Sequence, residues 1–141
     1  IHVSGFEDLM RNMGIAEKHL DEVVQETIER AAFSTRDFAI KGIQRSPSTG
    51  RVYEKYNPRR THQASAPGEY PASDTGRLAS SIEIEGIGEK VVSVGTAIMY
   101  GRHLEFGTRN MFSRPWLQPS FELALKDVIK NAKKRFNKRF K

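Results

Sequence analysis

From Ala16 to Ile43 the apolar residues Leu20, Val23, Val24, Ile28, Ala31, Phe38, Ala39 and Ile43 recur mostly at steps of three and four, the period of a helix with one buried face. Glu17, Asp21, Glu22, Glu26, Glu29, Arg30 and Lys41 take the other side, so this helix has to lay its stripe on a partner surface. A shorter amphipathic piece, Phe6, Leu9, Met10 and Met13, precedes it, and Gly14 is the expected break between the two. At the far end Leu117, Phe121, Ala124, Leu125, Val128, Ile129, Ala132 and Phe136 repeat the helical rhythm. The two one-sided helices are expected to pair and to lay their stripes across one face of a small antiparallel sheet, made of a hairpin at 82–87 and 90–96 plus strands of the 44–74 arm, in a two-layer sandwich. The fold class is therefore α+β. No internal repeat and no linker divides residues 1–141, which read as a single domain.

Residues 44–74 hold four Pro, Gly50, Gly68 and many Ser and Thr, with little aliphatic material. They read as an extended polar arm, in which 51–56 and 62–65 pair as a short hairpin around Asn57-Pro58. Structureless stretches of this length are uncommon in compact domains and usually carry function. The arm, with Arg51, Tyr53, Tyr56, Arg59, Arg60 and Tyr70, is the expected contact surface for a neighbouring subunit. Asp74 or Thr75 is placed to cap a short helix through Gly76, Arg77, Leu78 and Ala79. An antiparallel hairpin follows, 82–87 with 90–96, turning at Gly86-Ile87-Gly88-Glu89 and ending at Gly95-Thr96. Its Glu83 and Glu85 share a face, the solvent side. Ile98 to Phe106 reads as one more short helix, with Tyr100 and Leu104 on one face and Gly107 at its C-cap.

The chain has no cysteine, which removes disulfides, thiolate metal sites and cysteine nucleophiles from its chemistry. Histidines 2, 19, 62 and 103 are scattered, without a second ligand at metal-binding spacing. The serines lack a nucleophile elbow, and Gly86 and Gly88 sit between antiparallel strands rather than in a strand-to-helix phosphate cradle. No catalytic residue, metal or cofactor is expected, and the chain reads as a non-enzyme. No apolar run approaches the ~18 residues that span a bilayer, and IHVSGFEDLM lacks the order of a signal peptide. The expectation is no membrane, and the cytoplasm at synthesis.

The net charge of +6 belongs to one end: residues 126–141 carry eight Lys or Arg against one Asp. On a helix, Lys130, Lys133, Lys134, Arg135, Lys138 and Arg139 suit salt-dependent phosphate contacts. The competing reading is a solvated face whose cations complement the helix dipole.

Three ordered stretches, SAPGEYPASDTGRLASSI at 65–82, VSVGTAIMYGRHLEFGT at 92–108 and RPWLQPSFELAL at 114–125, together resemble the HK-ninety-seven gene-product-ten-like family of phage minor tail proteins. That family is similar in role to the lambda tail-completion protein Z. Thr75, Gly76, Leu78, Gly95, Tyr100, Leu104, Glu105, Phe106, Gly107, Arg114, Pro115 and Trp116 carry the motifs and read as fold determinants. Leu104 and Phe106 are expected to pack inward, and Pro115 and Pro119 to set the entry to the last helix. Glu105 is expected to pair with Arg109 or Arg114, within the subunit or across to a neighbour. The family commonly shows Arg-Pro-Phe where this chain has Arg114-Pro115-Trp116, so an aromatic is kept.

The resemblance implies a structural subunit of a tailed-bacteriophage neck or tail, acting in tail completion and head-tail joining. It implies a homo-oligomeric ring, six-fold by expectation, around the DNA channel. The partners it implies are a connector or stopper and a tail terminator or tube, with non-specific contact to genomic DNA. The location it implies is the virion, after assembly in the host cytoplasm. The alternative is a nucleic-acid-binding protein working through the basic terminal helix.

Overall fold

The computed structural model describes the backbone of residues 6–139 and the side chains of 11–86 and 88–135. Eight elements follow in order: α1 (Phe6–Arg45), β1 (Val52–Tyr56), β2 (Arg59–Gln63), α2 (Arg77–Ser80), β3 (Ile82–Gly88), β4 (Val91–Thr96), α3 (Met99–Phe106) and α4 (Leu117–Arg139). The fold is α+β, two long helices with two antiparallel hairpins.

Gly14 does not break the first helix, which runs through it as one 40-residue element. A glycine costs a helix interior about 1 kcal/mol against alanine, too little to interrupt good helix formers on both sides. α4 packs antiparallel on α1: Trp116, just before its start, lies in the cluster with Ala39 and Ile43, and Arg135 near its end reaches Glu26 at 3.3 Å.

The seam between the helices is made of small residues, with Ala32, Thr35 and Ala39 of α1 and Ser120, Ala124 and Val128 of α4 all buried. Short side chains let the two backbones approach closely, and the larger apolar residues are displaced to the flanks. Thr35 and Ser120 satisfy their hydroxyls within their own helices, on Ala31 O and Trp116 O. Leu20, Val23 and Val24, expected inside, are exposed, as are Phe121, Leu125 and Ile129 of α4. The cause at the α1 end is length: at 1.5 Å per residue, α1 extends about 60 Å and α4 about 35 Å. Phe136 lies outside the described side chains.

The core proper is Ala39, Ile43, Leu78, Ala79, Ile82 and Trp116. Trp116 is buried and donates its indole N–H to Gly101 O at 3.0 Å. The β3–β4 hairpin lies on α1, where Arg36 donates to Ile82 O at 2.9 Å and Lys90 reaches Asp21 at 2.5 Å and Gln25 at 2.9 Å. Its turn is the dipeptide Glu89-Lys90, not the glycine segment, and Lys90 takes φ 60°. Gly86 and Gly88 instead flank a register shift in β3, a bulge that absorbs one extra residue. Gly95 pairs with Glu83 inside β4, and Thr96 ends the strand. Glu83 and Glu85 do face solvent.

The arm strands pair only with each other, in register from Val52 with Gln63 to Tyr56 with Arg59 around a cis Asn57-Pro58 bond. They form a hairpin of their own and do not extend the β3–β4 sheet. The N-cap position of α2 is Gly76 rather than Asp74 or Thr75, at φ 74°, a left-handed conformation that glycine adopts at little cost; Asp74 is engaged elsewhere, and Thr75 Oγ1 accepts from Arg77 N at 3.4 Å.

Candidate assembly surfaces

The 44–74 segment divides physically in two. Residues 64–74 fold back on the body. Tyr70 is half-buried, its hydroxyl 3.0 Å from Ser120 Oγ, and its ring lies so close to α1 that a Cβ on Gly42 would stand 2.2 Å from it. Ser46 donates its hydroxyl to Tyr70 O, and Gly68 N donates to Ser113 O at 2.9 Å. Glu69 accepts from Thr49 and from Ala66 N, which hold its carboxyl below the usual carboxylate range. Tyr70 therefore anchors the arm to its own subunit, a correction to its expected place at a subunit interface. A phenol can reach inward here because glycine leaves room on the helix.

Residues 51–63 form the projecting half. Both faces of the β1–β2 hairpin are largely in solvent, and Tyr56 is 77% exposed. Arg51 lies over the Tyr53 ring at 5.4 Å, and Arg59 is exposed. The hairpin is held at its root by backbone bonds and near its turn by a carboxylate. Gly50 and Arg51 exchange backbone hydrogen bonds with Ala64 at 2.7 and 3.0 Å, and Asp74 gathers Lys55, Arg60 at 3.1 Å and His62 at 3.5 Å. The Lys55 hydrogen bond, with the charge of Arg60 beside it, holds the Asp74 carboxyl below the usual range. Arg60 is thus half-committed within the subunit. Arg51, Tyr56 and Arg59 remain exposed, and Tyr53, half-exposed, borders a cavity with His62, Ser65, Leu104 and Phe112.

Glu105 pairs with neither Arg109 nor Arg114. Its carboxylate accepts from the backbone N–H groups of Trp116, Leu117 and Gln118 at 2.7, 2.9 and 2.9 Å. The first N–H groups of a helix have no intrahelical partner, and a negative charge there complements the dipole. Pro119, next in line, has no N–H to satisfy. Four consecutive residues at the α4 entrance are thereby settled by one carboxylate and one proline. The spacing of Leu-Glu-Phe-Gly from Arg-Pro-Trp did not disclose this, because the capping residue comes from another element.

Arg114 goes instead to the arm, donating from Nε to Ser65 O at 3.0 Å, while its own N–H donates to Leu104 O at 2.7 Å. Leu104 packs on the core, as expected. Phe106 does not: it is 78% exposed, and Tyr100 is also exposed. Gly107, at φ 76°, ends α3 as expected.

On α4, Lys126, Lys130, Lys133 and Lys134 are exposed and have no ion pair among the described residues, whereas Arg135 is tied to Glu26. The charges of Arg30 and Arg135 and their hydrogen bonds, Arg30 foremost, hold Glu26 below the usual carboxylate range. The side chains of Lys138 and Arg139 lie outside those described. Between α1, β4 and α4 runs an open apolar trough of about 700 Å³, lined by Ile28, Ala31, Val92, Val94, Phe106 and Phe121 among others.

Among the described residues no three His, Asp or Glu stand close enough to hold a metal ion, and no helix is long and apolar enough to cross a membrane. Compared with protein-family models, curated proteins and solved structures, the chain matches none.

Proposed function

We propose that this chain is a non-enzymatic structural subunit of a tailed-phage neck or tail. In this reading it acts by shape and contact in tail completion and head-tail joining, as part of a homo-oligomeric ring around the DNA channel. Two things support the reading: the ordered motifs at 65–82, 92–108 and 114–125, and the state of the arm. The observation that carries it is the β1–β2 hairpin, tied to its own chain by backbone bonds at the root and by Asp74 on one face, yet without apolar packing and largely in solvent. A two-stranded hairpin with no layer beneath it is marginally stable in water at best. A neighbouring subunit supplies the missing layer, and closed cyclic symmetry satisfies such head-to-tail contacts in every copy.

The test removes residues 52–63 and keeps the anchored 64–74 segment. Light scattering on the full chain and on the deletion, each alone and with the neck or tail proteins of the same phage, measures assembly. Loss of the oligomer with an unchanged helical signal is the expected result, and unchanged assembly overturns the reading.

The alternative, nucleic-acid binding, draws on the exposed lysines of α4. Its signature is DNA affinity falling steeply with salt, a slope abolished in the Lys126→Glu, Lys130→Glu, Lys133→Glu variant of a chain that does not self-assemble.

A further inference from the structure

The first half of α1 and the apolar trough are two unsatisfied surfaces of complementary kind, and each lacks what the other has. Met13, Leu20, Val23 and Val24 form a helical stripe on the protruding part of α1, all exposed, with Leu20 at 57%. Glu17 and Asp21 flank it, Asp21 also holding Lys90. The trough ends on α4 at Phe121, and beyond it Leu125 and Ile129, one residue per turn and exposed like Phe121, continue an apolar stripe along the helix. Lys126 and Lys133 flank that stripe, with Glu122, held by Gln118, as the one carboxylate on that side among the described residues.

We infer that the trough receives the protruding α1 segment, residues 13–24, of a second copy of this chain. The geometry is that of an amphipathic helix laid in an apolar groove, with anchors at i, i+3, i+4 and i+7 spacing. Charge selects the occupant and the arrangement. An α1 against α1 contact brings Glu17 and Asp21 of one copy toward the same carboxylates of the other, and like charges facing each other disfavour it. Against α4 the same carboxylates meet Lys126 and Lys133. The arm hairpin is a poorer occupant, because Arg51, Lys55, Arg59 and Arg60 add positive charge to an already basic wall. Donor and acceptor are different surfaces of one subunit, so the contact is heterologous and propagates into a ring or an open filament. This inference rests on the proposed ring and names a second contact within it, separate from that of the arm.

The absence of native cysteine provides a clean test. Leu20→Cys and Leu125→Cys are made singly in the full chain, and each sample and their mixture are oxidised and separated by mass. A disulfide-linked pair as the main product of the mixture, and only a trace in either variant alone, is the expected result. A third variant, Leu20→Lys, is expected to lower the assembled mass without shifting the thermal midpoint, because Leu20 is solvent-exposed in the single chain.

Strong linkage in Leu20→Cys alone means α1 packs on α1 and overturns the inference. An assembly that persists without the mixed pair overturns it too, and leaves the ring reading standing. A chain that stays monomeric at every concentration, alone and with its neck proteins, overturns both.

Discussion

The two hairpins have the same local architecture and opposite surroundings. β3–β4 lies on α1 and sends Ile82 into the core, whereas β1–β2 is held at its root by the Gly50–Ala64 backbone pair and near its turn by the ion pairs of Asp74 with Lys55 and Arg60. Their sequences differ accordingly. Ile82, Ile84, Val92 and Val94 provide an apolar inner face, while Glu54, Lys55, Arg59, Arg60 and Thr61 leave the arm hairpin without one. A hairpin with an apolar layer beneath it belongs to the core, and one tied down by ion pairs and backbone bonds stays outside it.

Substitutions can break or sharpen that contrast. Ile82→Ala removes a fully buried side chain and is expected to lower global stability by about 2–5 kcal/mol, read as a shifted urea midpoint. Glu105→Ala leaves three backbone donors at the α4 entrance without their acceptor and is expected to cost about 1–3 kcal/mol. It loosens the start of α4 while the Asp74 ion pairs of β1–β2 persist, which salt titration of the arm's signals reports. Gly42→Val drives a side chain into the Tyr70 ring and is expected to cost about 1–3 kcal/mol. Its mark is faster amide exchange across 64–74; equal exchange there would mean that Tyr70 is not the anchor.

Acid sharpens the contrast further. Because its folded-state pKa is depressed, Asp74 contributes stability above the unfolded aspartate value of about 3.9. That contribution fades as pH falls through the lower, folded value. Below that point NMR signals of β1–β2 are expected to lose dispersion before those of β3–β4, and Asp74→Asn is expected to reproduce this at neutral pH. The smallest effect is that of Tyr56→Ala, within about 0.5 kcal/mol of the parent in stability yet weaker in self-assembly. A large loss of stability in that variant would show that the hairpin belongs to the core after all.

The sequence by itself determined the element types and their order. Periodicity exposed both long helices, the apolar alternation exposed β3–β4, and the polar composition of 51–63 marked that hairpin as apart from the core, though not that 64–74 folds back onto it. These are signals that neighbouring residues carry between them. Tertiary structure decided which apolar residues are inside, since Leu20 and Phe121 satisfy the helical period as well as Ala39 and Ala124 do, and only the lengths and approach of α1 and α4 separate them. It also decided that Tyr70 turns inward over Gly42 and that Glu105 caps α4 rather than pairing with an arginine. Those partners stand 28 and at least 11 residues away in the chain, so only folding brings their atoms within bonding distance.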